Sequence, residues 1–170
     1  MSLLLSGAKT MTFAGTEMQC LEIYTGEAYT IDLRFTEAGG APIDATGWVL
    51  TASAKFYTVD NVLYDAVSPD VVTLGAITLD SPQPTPSGYA NLDADWVDIL
   101  TGSGYLYIPE EIANGSGSPN PTPVPPLNDG TAQPTNVLVI VTIEITKPSS
   151  VVTLPDDKQL VPIGFIVRYQ

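Results

Sequence analysis

The sequence has no histidine, one cysteine and only six basic residues among its 170 residues. The absence of histidine removes the commonest general base, the usual zinc ligand and every nucleophile that depends on a neighbouring imidazole. Because Cys20 is the single cysteine, no disulfide can form within the chain and a cysteine-rich metal site is excluded. We therefore expect no enzymatic activity and no cofactor, and we interpret Cys20 as a small buried apolar residue.

Positive charge is scarce and scattered. The lysines and arginines stand singly along the chain against 19 acidic residues, which gives a net charge of −13. Nucleic acid and anionic membranes are bound by clustered basic residues, so we expect neither as a partner. No apolar run approaches the ~20 residues that span a bilayer. The apolar patch Leu3–Leu5 is too short for a secretion signal and follows no basic residue.

Two segments alternate between apolar and polar residues, as half-buried strands do. In Tyr29–Phe35 the apolar face consists of Tyr29, Ile31, Leu33 and Phe35. In Trp48–Thr58 it consists of Trp48, Leu50, Ala52, Ala54 and Phe56. The link from Thr36 to Gly47 is long for a hairpin, so we interpret it as a connector between two sheets.

Further strands are predicted from segments rich in Val, Ile, Tyr and Thr, which brings the total to about eight. These segments are Leu21–Tyr24, Val62–Val67, Val71–Leu79, Tyr105–Ile108, Val137–Thr146 and Val161–Tyr169. The first half of Val137–Thr146 is apolar on both faces, as in a central strand, and Pro162 indicates an edge or a strand start. One short helix is predicted over Asp93–Leu100. Together these features favour an all-β, antiparallel sandwich of about seven to nine strands with one short helix and a long Pro/Gly-rich loop.

Two segments outside this pattern are candidates for contacts with other proteins. Residues 114–134 are rich in Pro, Gly, Ser and Asn, and they predict either a mobile surface insertion or a loop that reaches a neighbouring subunit. Residues 1–19 are predicted to form an arm before a domain spanning residues 20–170. The proposed interaction residues are Leu3, Leu4, Leu5, Pro121, Pro123, Val124, Pro125, Pro126 and Leu127.

Carboxylates are the remaining residues that could carry chemistry. Glu110 with Glu111, or the group Asp93, Asp95 and Asp98, could in principle act as the acid–base pair of a glycosidase. The same three aspartates could bind calcium, but their spacing lacks the glycine and the final glutamate of an EF-hand loop. We favour a third interpretation, in which these carboxylates are solvated on the surface.

The order of these features resembles the immunoglobulin-like domain of bacteriophage tail and baseplate structural proteins. The resemblance rests on GEAYTIDLRF at Gly26–Phe35, on the connector GAPIDATG at Gly40–Gly47, and on a following strand that begins at Trp48. It continues with Asp93–Leu100 and with the G-x-Y-x-Y segment of Gly104–Tyr107, and it covers most of residues 20–169. The proline-rich insertion after Tyr107 departs from the family pattern.

The resemblance implies a non-enzymatic virion protein of the tail, baseplate or fibre-attachment region, assembled in the host cytoplasm. It would act as a connector through contacts with other virion proteins, and it would be repeated as a symmetric homo-oligomer in the particle. The alternative is a β-sandwich module that binds carbohydrate or decorates a capsid. Carbohydrate binding predicts that Trp96 or Tyr107 is exposed beside polar residues.

Overall fold

The computed structural model describes residues 1–24, 27–59, 62–64, 67–74, 77–78, 92–110, 136–151 and 154–168. These residues contain twelve β-strands, more than the eight predicted, and the all-β class is confirmed. In chain order the strands are β1 (Ser2–Leu4), β2 (Lys9–Phe13), β3 (Thr16–Tyr24), β4 (Tyr29–Thr36), β5 (Val49–Val59), β6 (Val62–Tyr64), β7 (Val71–Leu74), β8 (Ile77–Thr78), β9 (Ala94–Asp98), β10 (Ser103–Ile108), β11 (Asn136–Lys147) and β12 (Asp157–Arg168).

The strands form two sheets. The smaller sheet has four strands in the order β1-β4-β10-β9, all antiparallel. The larger sheet has eight strands in the order β6-β7-β2-β3-β12-β11-β5-β8, in which β3 runs parallel to β12 and β2 parallel to β7. The prediction of a purely antiparallel sandwich was therefore wrong for this sheet, which is mixed. Because β4 and β5 belong to different sheets, the predicted role of their link as a connector between sheets is confirmed.

The two sheets face each other across one hydrophobic core. From the smaller sheet, Leu33 and Phe35 of β4 and Leu106 and Ile108 of β10 contribute buried side chains. The larger sheet contributes alternate residues of its long strands, namely Leu50, Ala52, Ala54, Val139, Val141, Ile143, Ile145, Ile163, Phe165 and Val167. The alternation read from the sequence thus identified the inward faces of β4 and β5, although the side chain of Phe56 lies outside the described part.

A second apolar cluster lies on the opposite face of the larger sheet. It consists of Met11, Met18, Cys20, Val72, Leu138, Ile140 and Ile166. Its members Leu138 and Ile140 alternate with Val139 and Val141 of the first core, so the first half of β11 is buried on both faces as predicted for a central strand. Gly164 makes room for this cluster, since a Cβ at Gly164 would overlap the methyl group of Met11.

Both edges of the smaller sheet are joined to the larger one. At the β1 edge, the Gln19 side-chain amide accepts a hydrogen bond from the Leu5 N–H at 3.0 Å and donates one to the Leu3 carbonyl. It thereby takes the place of one peptide group of a neighbouring strand. At the β9 edge, the Leu92 N–H donates to the Ala52 carbonyl at 2.8 Å, and the Trp96 indole N–H donates to the Trp48 carbonyl at 3.0 Å. Some of the backbone groups that edge strands would leave open are therefore paired.

The prediction of a helix over Asp93–Leu100 was wrong, because this segment contains strand β9. Ala94 and Trp96 pack against the core while Asp95 and Val97 are exposed, which is the two-residue period of a strand. Pairing with β10 decides the outcome, since the Tyr107 N–H donates to the Asp93 carbonyl at 2.8 Å. Gly104 permits the close approach, because a Cβ there would lie 2.9 Å from the Asp95 carbonyl oxygen.

Two further expectations are corrected by the strand pairing. Residues 1–19 are not an arm outside the sandwich, since β1 pairs with β4, β2 pairs with β3, and Leu3 and Leu5 are buried in the core. Pro162 lies in the interior of β12, not at its start. It stands just before Ile163, the first residue of β12 in register with β3, so the missing N–H falls where that ladder begins.

Candidate functional site

The outer face of the smaller sheet is the best candidate for a functional surface, and we call it the tyrosine face. It consists of the outward-facing side chains of Leu4, Thr30, Asp32, Arg34, Asp95, Val97, Tyr105 and Tyr107. These residues alternate with the core residues Leu33, Phe35, Trp96 and Leu106, so the packing of the sandwich determines which way they point. Val97 is 70% exposed and Leu4 is 55% exposed, and Leu160 of β12 (61%) and Val49 of β5 (52%) are similarly exposed on the larger sheet. Val97 and Leu4 differ in sharing a face with two tyrosines, Tyr105 and Tyr107.

Tyr105 lies in the middle of this face. In the register of the sheet it stands opposite Asp32 of β4 on one side and opposite Asp95 of β9 on the other. Its hydroxyl donates a hydrogen bond to Asp93 Oδ1 at 2.9 Å. This bond raises the pKa of the Tyr105 phenol, and partial burial and the nearby carboxylates of Asp93 and Asp95 raise it further. The ring is therefore a neutral, fixed group surrounded by carboxylates.

The aspartates considered as catalytic or calcium-binding residues, and interpreted as solvated carboxylates, each accept a local hydrogen bond. Asp93 accepts from the Tyr105 hydroxyl, Asp95 Oδ1 accepts from the Trp96 N–H at 2.7 Å, and Asp98 Oδ1 accepts from the Leu100 N–H at 3.0 Å. Within the described ranges, no three or more acidic or cysteine side chains are grouped so as to hold a metal ion. Glu110 is exposed, and Glu111 lies outside the described residues.

The two tryptophans do not form a sugar platform. Trp96 is half-buried, packs edge-on against Phe35 with ring centroids 5.5 Å apart, and donates its indole N–H to Trp48. Trp48 is also half-buried, and the Lys147 ammonium lies 5.1 Å from its ring centroid. Tyr107, 37% exposed, is the aromatic side chain of the tyrosine face that is most open to solvent.

The outer face of the larger sheet carries a shallow polar groove of about 490 Å³ across β5, β11 and β12. Its lining residues are Thr51, Ala52, Ser53, Lys55, Thr142, Glu144 and Leu160. Glu144 is held at one side by an ion pair with Lys158, at 2.6 Å between Oε1 and Nζ. With one carboxylate among its lining residues, the groove does not provide the two convergent acids of a glycosidase.

The interaction residues predicted from sequence have different locations in the structure. Leu3 and Leu5 are buried and contribute to the core, whereas Leu4 belongs to the tyrosine face. Pro121, Pro123, Val124, Pro125, Pro126 and Leu127 lie outside the described residues, as does the whole 114–134 segment. Asp32 and Tyr105 were not singled out as partners, because only the pairing of β4 with β10 brings them together.

Comparisons with known proteins leave the family of the chain open. No protein-family model matches it, and no curated protein sequence matches it. In the described part of the chain, no helix is long and apolar enough to cross a membrane.

Proposed function

We propose that this protein is a non-enzymatic structural component of a bacteriophage particle, which connects other virion proteins in the tail, baseplate or fibre-attachment region. Its domain would be of the immunoglobulin-like type, as the Gly26–Phe35 and Gly40–Gly47 segments suggest by their resemblance to that family. The two-sheet β architecture and the crossing of the β4–β5 link between sheets are compatible with this proposal. Copies would be repeated by the symmetry of the particle.

The observation that carries the proposal is the tyrosine face. The side chains of Val97, Leu4 and Tyr107 lie on ordered strands and are exposed on one side of the smaller sheet, beside polar and charged groups. Apolar and tyrosine side chains surrounded by polar residues are typical of surfaces that contact other proteins, because they bury area while the tyrosine hydroxyl keeps a polar partner. A role in assembly explains this exposure more directly than catalysis does.

The test is to identify the chain in purified particles and then to disturb the tyrosine face. We expect mass spectrometry of purified particles to detect the protein in a fixed ratio to other virion proteins. The double variant Val97→Lys, Tyr107→Lys should be expressed and folded but excluded from particles.

The matched control is the double variant Thr51→Lys, Ser53→Lys, which adds the same charge to exposed positions on the outer face of the larger sheet. It should still be incorporated. Absence of the wild-type chain from particles would overturn the proposed function. Equal incorporation of both double variants would show that the tyrosine face is not the contact surface.

A further inference from the structure

The centre of the tyrosine face combines an aromatic ring with carboxylates on both sides. Residues directly opposite each other in an antiparallel pair have Cβ atoms about 4.5–5.5 Å apart and point to the same face. Tyr105 has such a partner on each side, Asp32 on β4 and Asp95 on β9. Both aspartates are exposed, while the Tyr105 ring between them is half-buried. We call these three residues the Tyr105 row.

The charge around the Tyr105 row is strongly negative. Arg34 is the single basic residue in the four strands of the smaller sheet, and it lies in the next row, opposite Ser103. Three other basic residues are engaged on the larger sheet, where Lys9 and Arg168 pair with Glu22 and Lys158 pairs with Glu144. The Tyr105 row therefore presents two exposed carboxylates in a chain of net charge −13.

We propose that the Tyr105 row binds an arginine side chain of a partner protein, with the guanidinium over the Tyr105 ring and hydrogen-bonded to Asp32 and Asp95. This proposal rests on the proposed function and names the chemistry of the contact. A guanidinium is planar and fits an aromatic face, while its five donors can reach carboxylates on two sides. Val97 and Leu4 would contact apolar groups around that arginine.

The Tyr105 ring is held in position for such a contact. Its hydroxyl is fixed by Asp93 at 2.9 Å, so the ring does not have to be ordered when a cation binds. The Asp95 carboxylate is likewise oriented by its bond to the Trp96 N–H at 2.7 Å and retains a second oxygen for a ligand. Both restraints reduce the entropic cost of binding at an exposed site.

The experiment is a titration of the full ¹⁵N-labelled chain with N-acetyl-arginine amide, followed by NMR. The neutral isostere N-acetyl-citrulline amide is titrated in parallel. We expect saturable shifts centred on the Asp32, Asp95 and Tyr105 resonances with the arginine compound and not with the citrulline compound. Shifts spread evenly over the acidic surface, or equal shifts with both compounds, would overturn the proposal.

Variants separate this site from general electrostatic attraction. Asp32→Asn, Asp95→Asn keeps an oxygen acceptor for the Trp96 N–H and should weaken arginine binding by about fivefold or more. The matched control Glu17→Gln, Glu37→Gln removes two exposed carboxylates elsewhere and should change the affinity less than about twofold. Tyr105→Phe should weaken binding only slightly, because it keeps the ring face but loses the restraint from Asp93, whereas Tyr105→Leu should lose binding because the ring face supplies the contact. Equal weakening by the two double variants would contradict the inference.

The two proposals can fail separately. If the protein is found in particles but its Tyr105 row does not select arginine, this inference fails and the proposed function stands. If the row binds arginine but the protein is absent from particles, the site stands and the proposed function fails.

Discussion

Trp96 and Val97 are adjacent in the sequence, yet their side chains point to opposite sides of β9. Trp96 packs against Phe35 in the core, whereas Val97 is 70% exposed on the tyrosine face. Both side chains are largely apolar, so the direction of each one depends on the pleat of the strand and on which neighbour the strand pairs with. An apolar side chain therefore contributes to stability at one position and is available for recognition at the next.

Cys20 provides a test at the scale of one residue. Burial raises the pKa of its thiol to about 12, and the charge of Glu22 adds to the effect. Since the thiolate is the reactive form, we expect the native protein to react with iodoacetamide at pH 8 at least about a hundredfold more slowly than a free cysteine. The rate is measured by mass spectrometry, with guanidinium-unfolded protein as the control. Equal rates in the native and unfolded protein would contradict the buried position.

At the scale of elements, the smaller sheet depends on contacts at its edges as well as on its four-strand ladder. Gln19 closes the β1 edge, and Leu92 and Trp96 close the β9 edge. These contacts cross between sheets and involve residues distant in sequence. They also leave fewer backbone groups open for pairing with another chain.

Replacing Gln19 by leucine should destabilise the protein by about 1–3 kcal/mol, because the Leu3 carbonyl and the Leu5 N–H would lose their partner. The same change at Gln159, an exposed residue of β12, serves as the control and should cost less than about 0.5 kcal/mol. Chemical denaturation measures both effects. Similar costs for the two variants would show that the amide does not hold the β1 edge.

The pair of Glu144 on β11 and Lys158 on β12 predicts a pH dependence. The hydrogen bond from Lys158 lowers the pKa of Glu144 below 4.5. The contribution of Glu144 to the stability of the fold is therefore complete above pH 4.5 and is lost as the pH falls through the folded pKa. The same hydrogen bond raises the pKa of Lys158 above 10.5. The contribution of Lys158 to the stability of the fold is therefore complete below pH 10.5 and is lost as the pH rises through the folded pKa. We expect the Tm difference between wild type and Glu144→Gln to be constant from about pH 5 to pH 10 and to shrink on either side.

Thermal unfolding across pH gives this Tm difference directly. Glu17→Gln is the control, because it makes the same change of charge at another exposed position in a strand. If both variants give the same pH profile, the effect belongs to the net charge of the chain and not to the pair.

At the scale of the whole molecule, the N-terminal residues belong to the sandwich. β1 lies at the edge of the smaller sheet, and β2 lies in the larger sheet between β7 and β3. The chain therefore begins in one sheet and passes at once into the other. Removing this segment takes strands from both sheets.

Leu3 and Leu4 are adjacent leucines whose side chains point to opposite faces of β1, so substituting each one tests the position of this strand. Leu3→Ser should destabilise the protein by about 2–4 kcal/mol, because it removes a buried side chain and introduces a hydroxyl into the core. Leu4→Ser, at a position 55% exposed, should change stability by about 0.5 kcal/mol or less. Urea denaturation measures both. Equal effects would indicate that β1 does not occupy its edge position.

The sequence by itself determined the all-β class, the inward faces of β4 and β5, and the two-sided burial of the first half of β11. These features are local, because apolar residues repeat with the period of a strand wherever one face is covered. Alternation also marked Asp32 as an outward residue of β4.

Only the tertiary structure decided the strand character of β9, the inclusion of residues 1–19 and the assembly of the tyrosine face. Asp93–Leu100 fits a short helix and a strand alike, and its pairing with β10 settles the outcome. Asp32, Tyr105 and Asp95 come from three strands, and Asp32 is more than sixty residues distant from Asp95 in the sequence. Strand order depends on long-range pairing that local periodicity does not encode, so only the fold brought these three residues together.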